Sequence, residues 1–579
     1  MSKAPNINNV RYMPGWSTRL TKHKTSLEVI GLDTEAYTSG ECFMIATSLR
    51  DVFTLEDFPA CLFSRKYRGK KFVCYNLKYD SGALLQILSI EDLKALQTKD
   101  KIKVDKYVYT SIANKCLSIR KDKNTVHIYD MLNFYEMSLA NASKKFLGKS
   151  KRDIDVSLFT PDYVKKHWKA IAEYCVHDAV LVKELSGVLI DIFESFGVYP
   201  QKLYSVAYIS YQYFRNTCAW VHVKRYWNKY KEVLDFAMQS YNGGKFEVTC
   251  KGSGYYYEYD IVSAYPYEIS NLVDIRDARI ITSIEYEKDA IYGFIDCTMK
   301  IPARVFSPIA LKKRIVNFYP VGTFRKVITK TEYDYLIEQG SDIKIHKAYW
   351  LMKKSITYPY KYQIEKLMEF KDRFKADKKA IEYHTMKFFL NSFYGKFVQL
   401  INKGSYYKAG SSWNPIYGSI ITANCRTRIS ALQQKHPEII AVHTDSIIST
   451  KPLDFPASGP LGQFVSENEG EGIILGSGIY QVGNKSKFRG FSTKIDLKDL
   501  LPSSGKSIDI SKVRPYTWRE VAHRNLSVSQ INLFKDMPRK LNLNFDCKRI
   551  WLDDYKDFSE VLERNVESVP WMIDDTDSN

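Results

Sequence analysis

The sequence predicts a protein of the α/β class that is divided into several domains. Its 579 residues exceed the roughly 100–200 that one domain usually holds, which excludes a single core. In the first third, strand-like apolar runs at 27–32 and 71–75 alternate with a helical pattern at 162–189. The apolar fraction of 45%, with 26% charged residues, is typical of a globular chain. We therefore expect an α/β domain first, with further domains behind it.

Three compositional stretches make up much of the remaining chain. Residues 200–300 are rich in tyrosine and β-branched side chains, which favours sheet. The stretch 359–399 combines a helical pattern with dense lysine. Residues 500–579 are polar and mixed, and we expect a small terminal domain there.

The charge balance points to a polyanionic partner. The formal net charge is +20 and the isoelectric point is near 9.2, and neutralising phosphates with such a surface releases condensed counterions. Nucleic acid is the first candidate, although a basic surface also suits an anionic membrane or simple solubility. Residues 1–27 lack acidic side chains, as expected of a basic arm on nucleic acid, and an organellar transit peptide is the alternative. The basic residues of this arm are Lys3, Arg11, Arg19, Lys22 and Lys24.

The cysteines and the hydropathy indicate the compartment. Ten cysteines lie singly between Cys42 and Cys547 and form no CxxC pair, so a reducing environment is expected. No apolar run approaches the ~20 residues that span a bilayer, and no secretory signal opens the chain. We expect an intracellular protein without a membrane span.

Four acidic residues in the first third form a candidate metal site. Asp33 and Glu35 end an apolar strand, and strand alternation puts both side chains on one face. Asp80 follows a second apolar strand, and Tyr174 and Asp178 lie at i and i+4 of a helical pattern. Convergence of the four acids would hold two divalent ions about 3.5–4 Å apart, with Tyr174 orienting a water molecule. Taken alone, the Asp-Thr-Glu string would be an exposed strand end.

A second acidic position follows a tyrosine-rich strand. The segment 259–266 reads YDIVSAYP, so that Asp260 ends the strand and the chain turns over it. Further along, the segment 439–448 reads IIAVHTDSII, with two apolar runs flanking a short polar turn. A hairpin there would present Asp445 at its tip and complete a metal site with Asp260.

A lysine-bearing helix is predicted between these two acids. In the segment 387–396, KFFLNSFYGK, positions 387, 391 and 394 are spaced i, i+4, i+7 and share one helical face. Such a face can meet a triphosphate and a base together, with lysine as a point charge on the phosphates. An amphipathic surface helix is the alternative.

The order and the flanking residues of these segments resemble the motifs of family B DNA polymerases that carry a 3′→5′ proofreading exonuclease. The three acidic segments of the first third resemble exonuclease motifs I, II and III, and the three later segments resemble polymerase motifs A, B and C. The segment 150–155, SKRDID, is similar to the lysine motif of protein-primed members. The segment 241–244, YNGG, is similar to the YxGG linker motif that coordinates the two activities. The resemblance covers Asp33 to Tyr480.

This resemblance implies an RNase H-like exonuclease domain joined to a right-hand polymerase domain of palm, fingers and thumb. It also implies two Mg²⁺ or Mn²⁺ ions at each active site. The implied ligands are Asp33, Glu35, Asp80 and Asp178 in the exonuclease, and Asp260, the Ile261 carbonyl and Asp445 in the polymerase.

The resemblance also gives roles to the surrounding residues. Lys151 would stabilise a phosphate, with a solvated surface lysine as the alternative. The residues implied to bind the incoming nucleotide are Ser263, Tyr265, Lys387, Asn391 and Tyr394, of which Tyr265 closes against the 2′ position of the sugar. The residues implied to contact DNA are Asn76, Tyr241, Gly243, Gly244, Thr444 and Tyr480. For the paired glycines a plain turn is an equal alternative.

Two positions depart from the family pattern. His443 stands where motif C, usually DTDS, has its first aspartate, but the second aspartate is the ligand in the family. Gly478 stands where the KxY motif before Tyr480 has a primer-contacting lysine, and Lys485 or Lys487 is a candidate substitute.

The small size and the about 120 residues between motifs A and B are similar to the protein-primed subgroup of small linear viral and plasmid genomes. That subgroup inserts a priming-protein-binding subdomain there. The expected division is 1–195 for the N-terminal arm and exonuclease, 196–306 for the first part of the palm, 307–358 for the insertion, 359–400 for the fingers, 401–500 for the second part of the palm, and 501–579 for the thumb. Residues 398–415 leave a short space for the second insertion, which supports processivity and strand displacement in the family, so we expect it to be reduced.

The sequence thus predicts a DNA-dependent DNA polymerase with proofreading and with protein-primed initiation. Its expected partners are template-primer DNA, dNTPs and a terminal protein, and we expect a monomer in the host cytoplasm rather than in an organelle. One alternative is a decayed, non-synthesising nucleic-acid-binding protein that retains the exonuclease. Another is a polymerase primed by RNA or DNA.

Overall fold

The computed structural model describes the chain except for residues 1–5, 12–24, 68, 219–226, 314–315, 492–495, 501–502, 504 and 575–579. Of the basic residues in the predicted N-terminal arm, Lys3, Arg19, Lys22 and Lys24 therefore lie outside the described residues. Arg11 lies in the short strand Val10–Arg11. No helix among the described residues is long and apolar enough to cross a membrane.

The first domain is built on an eight-stranded mixed sheet, which we call the N-terminal sheet. Its middle strand Val29–Ala36 pairs in parallel with Lys71–Cys74, which in turn pairs in parallel with Asn124–Asp130. The strands, in spatial order, are Val52–Phe53, Cys42–Thr47, Val29–Ala36, Lys71–Cys74, Asn124–Asp130, Cys116–Lys121, Tyr107–Ile112 and Lys101–Val104. The helices of this domain are Phe58–Cys61, Leu77–Leu85, Ile90–Lys99, Leu132–Tyr135, Leu139–Leu147 and Pro161–Ser195.

The long helix Pro161–Ser195 packs directly across the middle strand. It begins with Pro161 at its first turn and with the Thr160 side chain accepting a hydrogen bond from the Tyr163 N–H, which is a favoured helix start. Gly31 permits the close approach, because a Cβ there would lie 1.8 Å from the Ala179 carbonyl oxygen. The predicted α/β domain is thereby confirmed.

The stretch 200–300 begins with helices, not with the sheet that its composition predicts. Val206–Thr217 and Trp227–Ser240 are helical, and strands begin only at Lys245–Val248. Ser205 caps the first of these helices by accepting from the Tyr208 N–H. Aromatic residues on that helix are buried at helical spacing, and Phe214 stacks on Phe393 with ring centroids 4.2 Å apart. Tertiary packing therefore overrides strand propensity.

The middle of the chain forms an antiparallel sheet, which we call the central sheet. Its longest strands, Cys250–Ile261 and Phe464–Gly476, pair along most of their length. The strands, in spatial order, are Lys245–Val248, Ile439–Thr444, Ser446–Ser449, Cys250–Ile261, Phe464–Gly476, Ile479–Val482 and Lys485–Phe488. The helices Ala264–Ser270 and Pro415–Lys435 pack together, and the apolar side chains of Pro415–Lys435 cover one face of the sheet.

A second sheet, which we call the outer sheet, is antiparallel except for its last strand; it includes most of the predicted insertion but begins before it. The strands, in spatial order, are Arg279–Ser283, Asp342–Met352, Tyr292–Ile301, Val321–Thr329 and Met572–Asp574. The predicted boundary at 307 thus falls inside this sheet, because residues 292–301, which precede it, pair with residues 322–329 and 342–351, which follow it. The helix Lys330–Glu338 packs on this sheet, and Leu311–Lys313 and Val316–Phe318 form a separate hairpin.

The lysine-rich stretch 359–399 forms two helices, Lys361–Ala376 and Ala380–Ser392, followed by a 3-10 turn at Tyr394–Lys396. The short hairpin of Leu400–Asn402 and Tyr407–Ala409 comes next, and Val10–Arg11 pairs in parallel with its second strand.

The C-terminal stretch shares its apolar residues between two neighbouring cores. Its helix Trp518–Arg524 packs against helices of the first domain, whereas its strand Val566–Val569 pairs with Cys250–Ile261 of the central sheet. The remaining elements are the helices Leu497–Leu500 and Glu560–Glu563, the strand pairs Ser507–Ile510 with Arg539–Asn542 and Val513–Pro515 with Phe534–Asp536, and the strand Ile550–Trp551.

Candidate active sites

The first site lies where the long helix crosses the N-terminal sheet. Asp33 and Glu35 project from the strand Val29–Ala36, and Asp80 lies in the first turn of the helix Leu77–Leu85. Tyr174 and Asp178 are buried on the helix Pro161–Ser195. The structure thus brings the four predicted acids together from three elements.

Hydrogen bonds fix these acids at their positions. Asp80 Oδ1 accepts from the Thr34 hydroxyl at 2.9 Å, and Asp33 Oδ2 accepts from the Cys175 thiol at 3.5 Å. Asp80 Oδ2 and Asp178 Oδ1 are buried and have no hydrogen-bond partner among the described residues. Since burying an unpaired carboxylate oxygen is costly, this arrangement fits a bound cation.

The electrostatics of the first site agree with this reading. Burial, together with the neighbouring Asp178 carboxylate, raises the pKa of Asp33 to about 7. Burial and the Asp33 carboxylate likewise raise the pKa values of Glu35 and Asp80. Four carboxyl groups that resist ionisation in one place provide the oxygen-rich donor set that Mg²⁺ and Mn²⁺ prefer.

Lys151 lies at this site rather than free in solvent. Its Nζ is 2.7 Å from Asp178 Oδ2 and 5.1 Å from the centre of the Tyr174 ring. Although burial opposes it, the Asp178 carboxylate and the Tyr174 hydroxyl raise the pKa of Lys151. Asn76 lies immediately before the helix that carries Asp80, in a left-handed conformation, and its N–H donates to Asp130 Oδ1 at 2.9 Å.

The second site lies in the central sheet. The predicted hairpin is present: Ile439–Thr444 and Ser446–Ser449 pair in antiparallel fashion and hold Asp445 between them. Asp260 is the register partner of Ser446, and the Ile261 N–H donates to the Asp445 carbonyl at 3.0 Å. Asp260, near the end of its strand, and Asp445, in the hairpin turn, therefore lie side by side.

Both acids resist ionisation, and Asp445 contributes to the pKa shift of Asp260. Burial, with Asp445 and Glu467 nearby, raises the pKa of Asp260 to about 7, while Lys387 and Lys485 oppose this. Burial likewise raises the pKa of Asp445 to about 6. The pair and the Ile261 carbonyl offer the hard oxygen donors that suit the same divalent ions.

The residues that the sequence predicts to bind a nucleotide lie around this pair. Tyr265 stacks on Tyr394 with ring centroids 4.0 Å apart. The Ser263 hydroxyl accepts from Lys371 Nζ at 2.9 Å. Lys387 and Asn391 lie on the helix Ala380–Ser392, whereas Tyr394 lies beyond its end in the 3-10 turn. The chain remains in right-handed helical geometry through Phe393, so the predicted face continues past the helix end.

The YxGG segment 241–244 contacts the tip of the hairpin. A Cβ on Gly244 would lie 2.6 Å from Thr444 Cγ2, whereas a Cβ on Gly243 would meet open space. Thr444 itself has a left-handed φ of 72°. The fully buried Arg426 guanidinium donates to the carbonyls of Asn242 and Gly243 at 2.7 and 2.9 Å. Only the second glycine is therefore required by close packing.

His443 lies in the first strand of the hairpin, and its ring is buried. Its ring stacks on Tyr480 with centroids 4.5 Å apart and planes 5° apart, and Phe246 lies 4.8 Å away. Burial, followed by the repulsion of Lys548 and three further cations, lowers the pKa of His443 to about 3. The ring is thus a neutral packing element rather than a charged group at the acidic pair.

Gly478 is held in a conformation that disfavours a lysine. Its φ is +81°, and a Cβ would lie 3.1 Å from side-chain atoms of Arg489, whose N–H donates to the Gly478 carbonyl. Of the two candidate substitutes, Lys485 is paired with Glu258 and Glu467 at 2.8 Å each. Lys487 is exposed and lies opposite Tyr480 in the strand register.

Sequence reasoning missed several residues of these sites. Cys175 lies on the same helical face as Asp178, a spacing of three that could have drawn attention to it. Lys371 and Glu467 lie outside every motif, and only the folded chain brings them near Asp260. Arg426 carries no sequence signal beyond being an arginine in an apolar helix.

Residues 149–412 match the family described as DNA polymerase type B, organellar and viral. A DNA polymerase of Acidianus bottle-shaped virus (isolate Italy/Pozzuoli) is 30% identical over 283 residues, which is 45% of this chain and 42% of that protein. The chain thus matches less than half the length of this curated relative.

The fold is also that of known structures. Phi29 DNA polymerase in an orthorhombic crystal form matches with a TM-score of 0.64 and 16% identity, over 90% of this chain and 100% of the other. Phi29 DNA polymerase complexed with primer-template DNA and incoming nucleotides matches with a TM-score of 0.64 and 16% identity over 89% of this chain and 100% of the other. This likeness confirms the predicted fold class, an exonuclease-like domain with a palm, fingers and thumb. Residues 149–412 are thus similar to type B DNA polymerases of the organellar and viral kind, and the fold of the chain is that of phi29 DNA polymerase.

Proposed function

We propose that this chain is a DNA-directed DNA polymerase that extends a primer at Asp260 and Asp445. The observation that carries the proposal is the half-buried acidic pair formed by a strand end and a hairpin turn, with a lysine-bearing helix and a tyrosine stack nearby. A pair of divalent ions, Mg²⁺ or Mn²⁺, would supply activation of the primer hydroxyl and neutralisation of phosphate charge.

The side chains around this pair suit a dNTP. Two lysines near Asp260 would provide positive charge for the phosphates. They are Lys387 and Lys371, the second of which donates a hydrogen bond to Ser263. The Tyr265–Tyr394 stack forms a rigid wall, which suits the exclusion of a 2′-hydroxyl on the sugar. Tyr480 and the Gly244–Thr444 contact lie on the side proposed for the primer and template.

The test compares Asp260→Asn and Asp445→Asn with Glu469→Gln, an exposed acid on the same sheet. We expect the first two to lose nucleotide incorporation on a primed template by several orders of magnitude, and the control to retain it. Incorporation by either active-site variant at the wild-type rate would rule out this assignment. Single-strand digestion measured in parallel shows that each variant is folded.

We also propose a 3′→5′ exonuclease at the first site. Asp33, Glu35, Asp80 and Asp178 would hold the ions, Tyr174 would orient the attacking water, and Lys151 would stabilise the phosphate. The supporting observation is that one carboxylate oxygen each of Asp80 and Asp178 is buried with no hydrogen-bond partner among the residues that the structure describes. The role of Lys151 is supported by its contact with Asp178.

The double variant Asp33→Ala, Asp178→Ala tests the exonuclease. It should stop trimming 3′ ends, raise misincorporation, and leave primer extension intact. Glu184→Ala, an acid on the same helix that pairs with Lys149, is the matched control. Trimming at the wild-type rate by the double variant would refute the assignment.

Protein-primed initiation is a further part of the proposal, with the outer sheet and the insertion 307–358 as the docking element. The priming hydroxyl of a Ser, Thr or Tyr would enter the same Asp260–Asp445 site as a primer 3′-OH. Deleting the whole insertion would remove strands that pair with Tyr292–Ile301, so surface changes are the better probe. Ile337→Glu alters an apolar side chain that is 45% exposed on the helix of this sheet.

We expect Ile337→Glu to weaken formation of a labelled protein–nucleotide adduct with the cognate terminal protein, while DNA-primed extension is unchanged. Absence of any adduct with wild-type enzyme would refute protein priming and favour RNA or DNA primers. The short hairpin at 400–409 supports a reduced second insertion, so products on a primed circle should be short under single-binding conditions. Products many times the circle length would contradict this.

The remaining assignments complete the proposal. The exonuclease at 1–195, the fingers at 359–400 and the second part of the palm at 401–500 keep their bounds. The insertion is widened to the outer sheet, so the first part of the palm (196–306) loses Arg279–Ser283 and Tyr292–Ile301, and the thumb (501–579) loses Met572–Asp574. The viral relative supports action on a viral or plasmid genome in the host cytoplasm.

A further inference from the structure

Cys175 is placed among the acids of the first site. It is fully buried on the helix Pro161–Ser195, three residues before Asp178, on the side that faces the N-terminal sheet. Its Sγ and one carboxylate oxygen each from Asp33 and Glu35 all lie within 4.8 Å of one another. Among the described residues, no other group of three His, Cys, Asp or Glu side chains converges in this way.

A second observation points to a cation at the same place. Asp178 Oδ1 is buried and has no hydrogen-bond partner in the described part of the chain, although its other oxygen is held by Lys151. Asp33 is partly exposed, so an ion can reach the cluster from solvent. The thiol now donates a hydrogen bond to Asp33 Oδ2, and an ion that binds sulfur would replace that proton.

We propose that Asp33, Glu35 and Cys175 form a binding site for a thiophilic divalent cation of the Zn²⁺ class. The location within an exonuclease centre rests on the proposed function, but the ligand set does not. Mg²⁺ takes oxygen ligands in octahedral geometry and leaves the thiol protonated. Zn²⁺ accepts thiolate with carboxylate in four-coordinate geometry, so it recruits the sulfur.

Binding of such an ion exchanges the Cys175 thiol proton for the metal. The Cys175 S–H bond breaks, its proton passes to solvent, and a sulfur–metal bond forms with no change of oxidation state. Because the Zn²⁺-class ion and the Mg²⁺ ion share Asp33 and Glu35, they compete for one place. A thiophilic ion should therefore inhibit 3′-end trimming at concentrations that leave synthesis unaffected. The reason is that, among the described residues, Asp260 and Asp445 do not converge with a cysteine or another third metal ligand as Asp33 and Glu35 do.

The test uses the full chain and Co²⁺ as a spectroscopic probe for Zn²⁺. Wild type should show the near-ultraviolet charge-transfer absorption of a cobalt–thiolate bond, which added Zn²⁺ abolishes. Cys175→Ser and Cys175→Ala should each lose this absorption. Cys116→Ser is the matched control, because Cys116 is equally buried in the same domain but neighbours Ser118 and His127 instead of the acids.

In the activity arm, Zn²⁺ should inhibit trimming by wild type and by Cys116→Ser at concentrations at least about tenfold lower than those needed for Cys175→Ser. Absorption that is absent in wild type, or that persists in both folded Cys175 variants, would overturn the proposal. If the absorption depends on Cys175 while Mg²⁺ supports no trimming by wild type, the metal site stands and the exonuclease assignment fails.

Discussion

His443→Asp tests whether the altered motif C belongs to a working polymerase. The substitution restores the usual aspartate at a position that the structure shows to be buried and packed on Tyr480 and Phe246. Loss of the ring contact with Tyr480 should cost about 0.5–1.5 kcal/mol of folding stability. Two effects oppose each other on an aspartate there: the burial that contributes most to lowering the histidine pKa would disfavour a carboxylate, whereas Lys548 and the neighbouring cations would stabilise one.

The effect on catalysis should be small, because the His443 ring packs beneath the hairpin and does not contribute charge to the acidic pair. We expect primer extension within about tenfold of wild type, which corresponds to roughly 1.4 kcal/mol of activation free energy. The assay is single-turnover incorporation of one dNTP, with His443→Asn as the control that changes shape without adding charge. A gain of several orders of magnitude in His443→Asp would instead favour the decayed-enzyme alternative, and a comparable loss would show that the imidazole is required.

Three further outcomes follow from the packing around the second site. Gly244→Ala should slow incorporation by about 100-fold by displacing the motif C turn, whereas Gly243→Ala should be near wild type, as single-turnover rates will show. Arg426→Ala should lower the free energy of unfolding by about 3–5 kcal/mol, measured by urea unfolding, because it leaves the Glu332 carboxylate buried without the guanidinium that lies 2.6 Å away. Replacing both residues by apolar ones should lower the free energy of unfolding by less. Burial raises the pKa of Glu268 to about 7, so the folded state keeps a proton that the unfolded state loses, and stability falls as pH rises from about 4.5 to 7. Glu268→Gln should remove this loss, about 3 kcal/mol, and melt above wild type at pH 8 but not at pH 4.

The sequence predicted the parts of the sites that depend on local order. Asp33 and Glu35 share a strand face, and Asp445 lies at the tip of a hairpin that its two apolar flanks predict. The fold class also followed from the motif order, and the phi29 structures confirm it. Such features are readable because strand alternation and turn composition act over a few residues.

Features that depend on distant packing were not predictable in the same way. The helix Val206–Thr217 has the tyrosines and β-branched residues of a strand, yet its aromatic side chains find partners such as Phe393 that lie far along the chain. Lys371 reaches Ser263 across 108 residues. The outer sheet likewise crosses the predicted boundary at 307, because its strands pair through backbone hydrogen bonds in registers that composition does not reveal.

The last strand of the outer sheet has a consequence for synthesis on the ribosome. Val321–Thr329 is an edge strand until Met572–Asp574 pairs with it in parallel, and that partner is translated roughly 240 residues later. Throughout that interval the nascent chain presents open backbone N–H and C=O groups, which another copy can pair with. A chain whose translation ends before residue 572 would therefore lack the strand that pairs with this edge. We expect such truncated chains to self-associate through the unpaired edge strand, even when both acidic sites are complete.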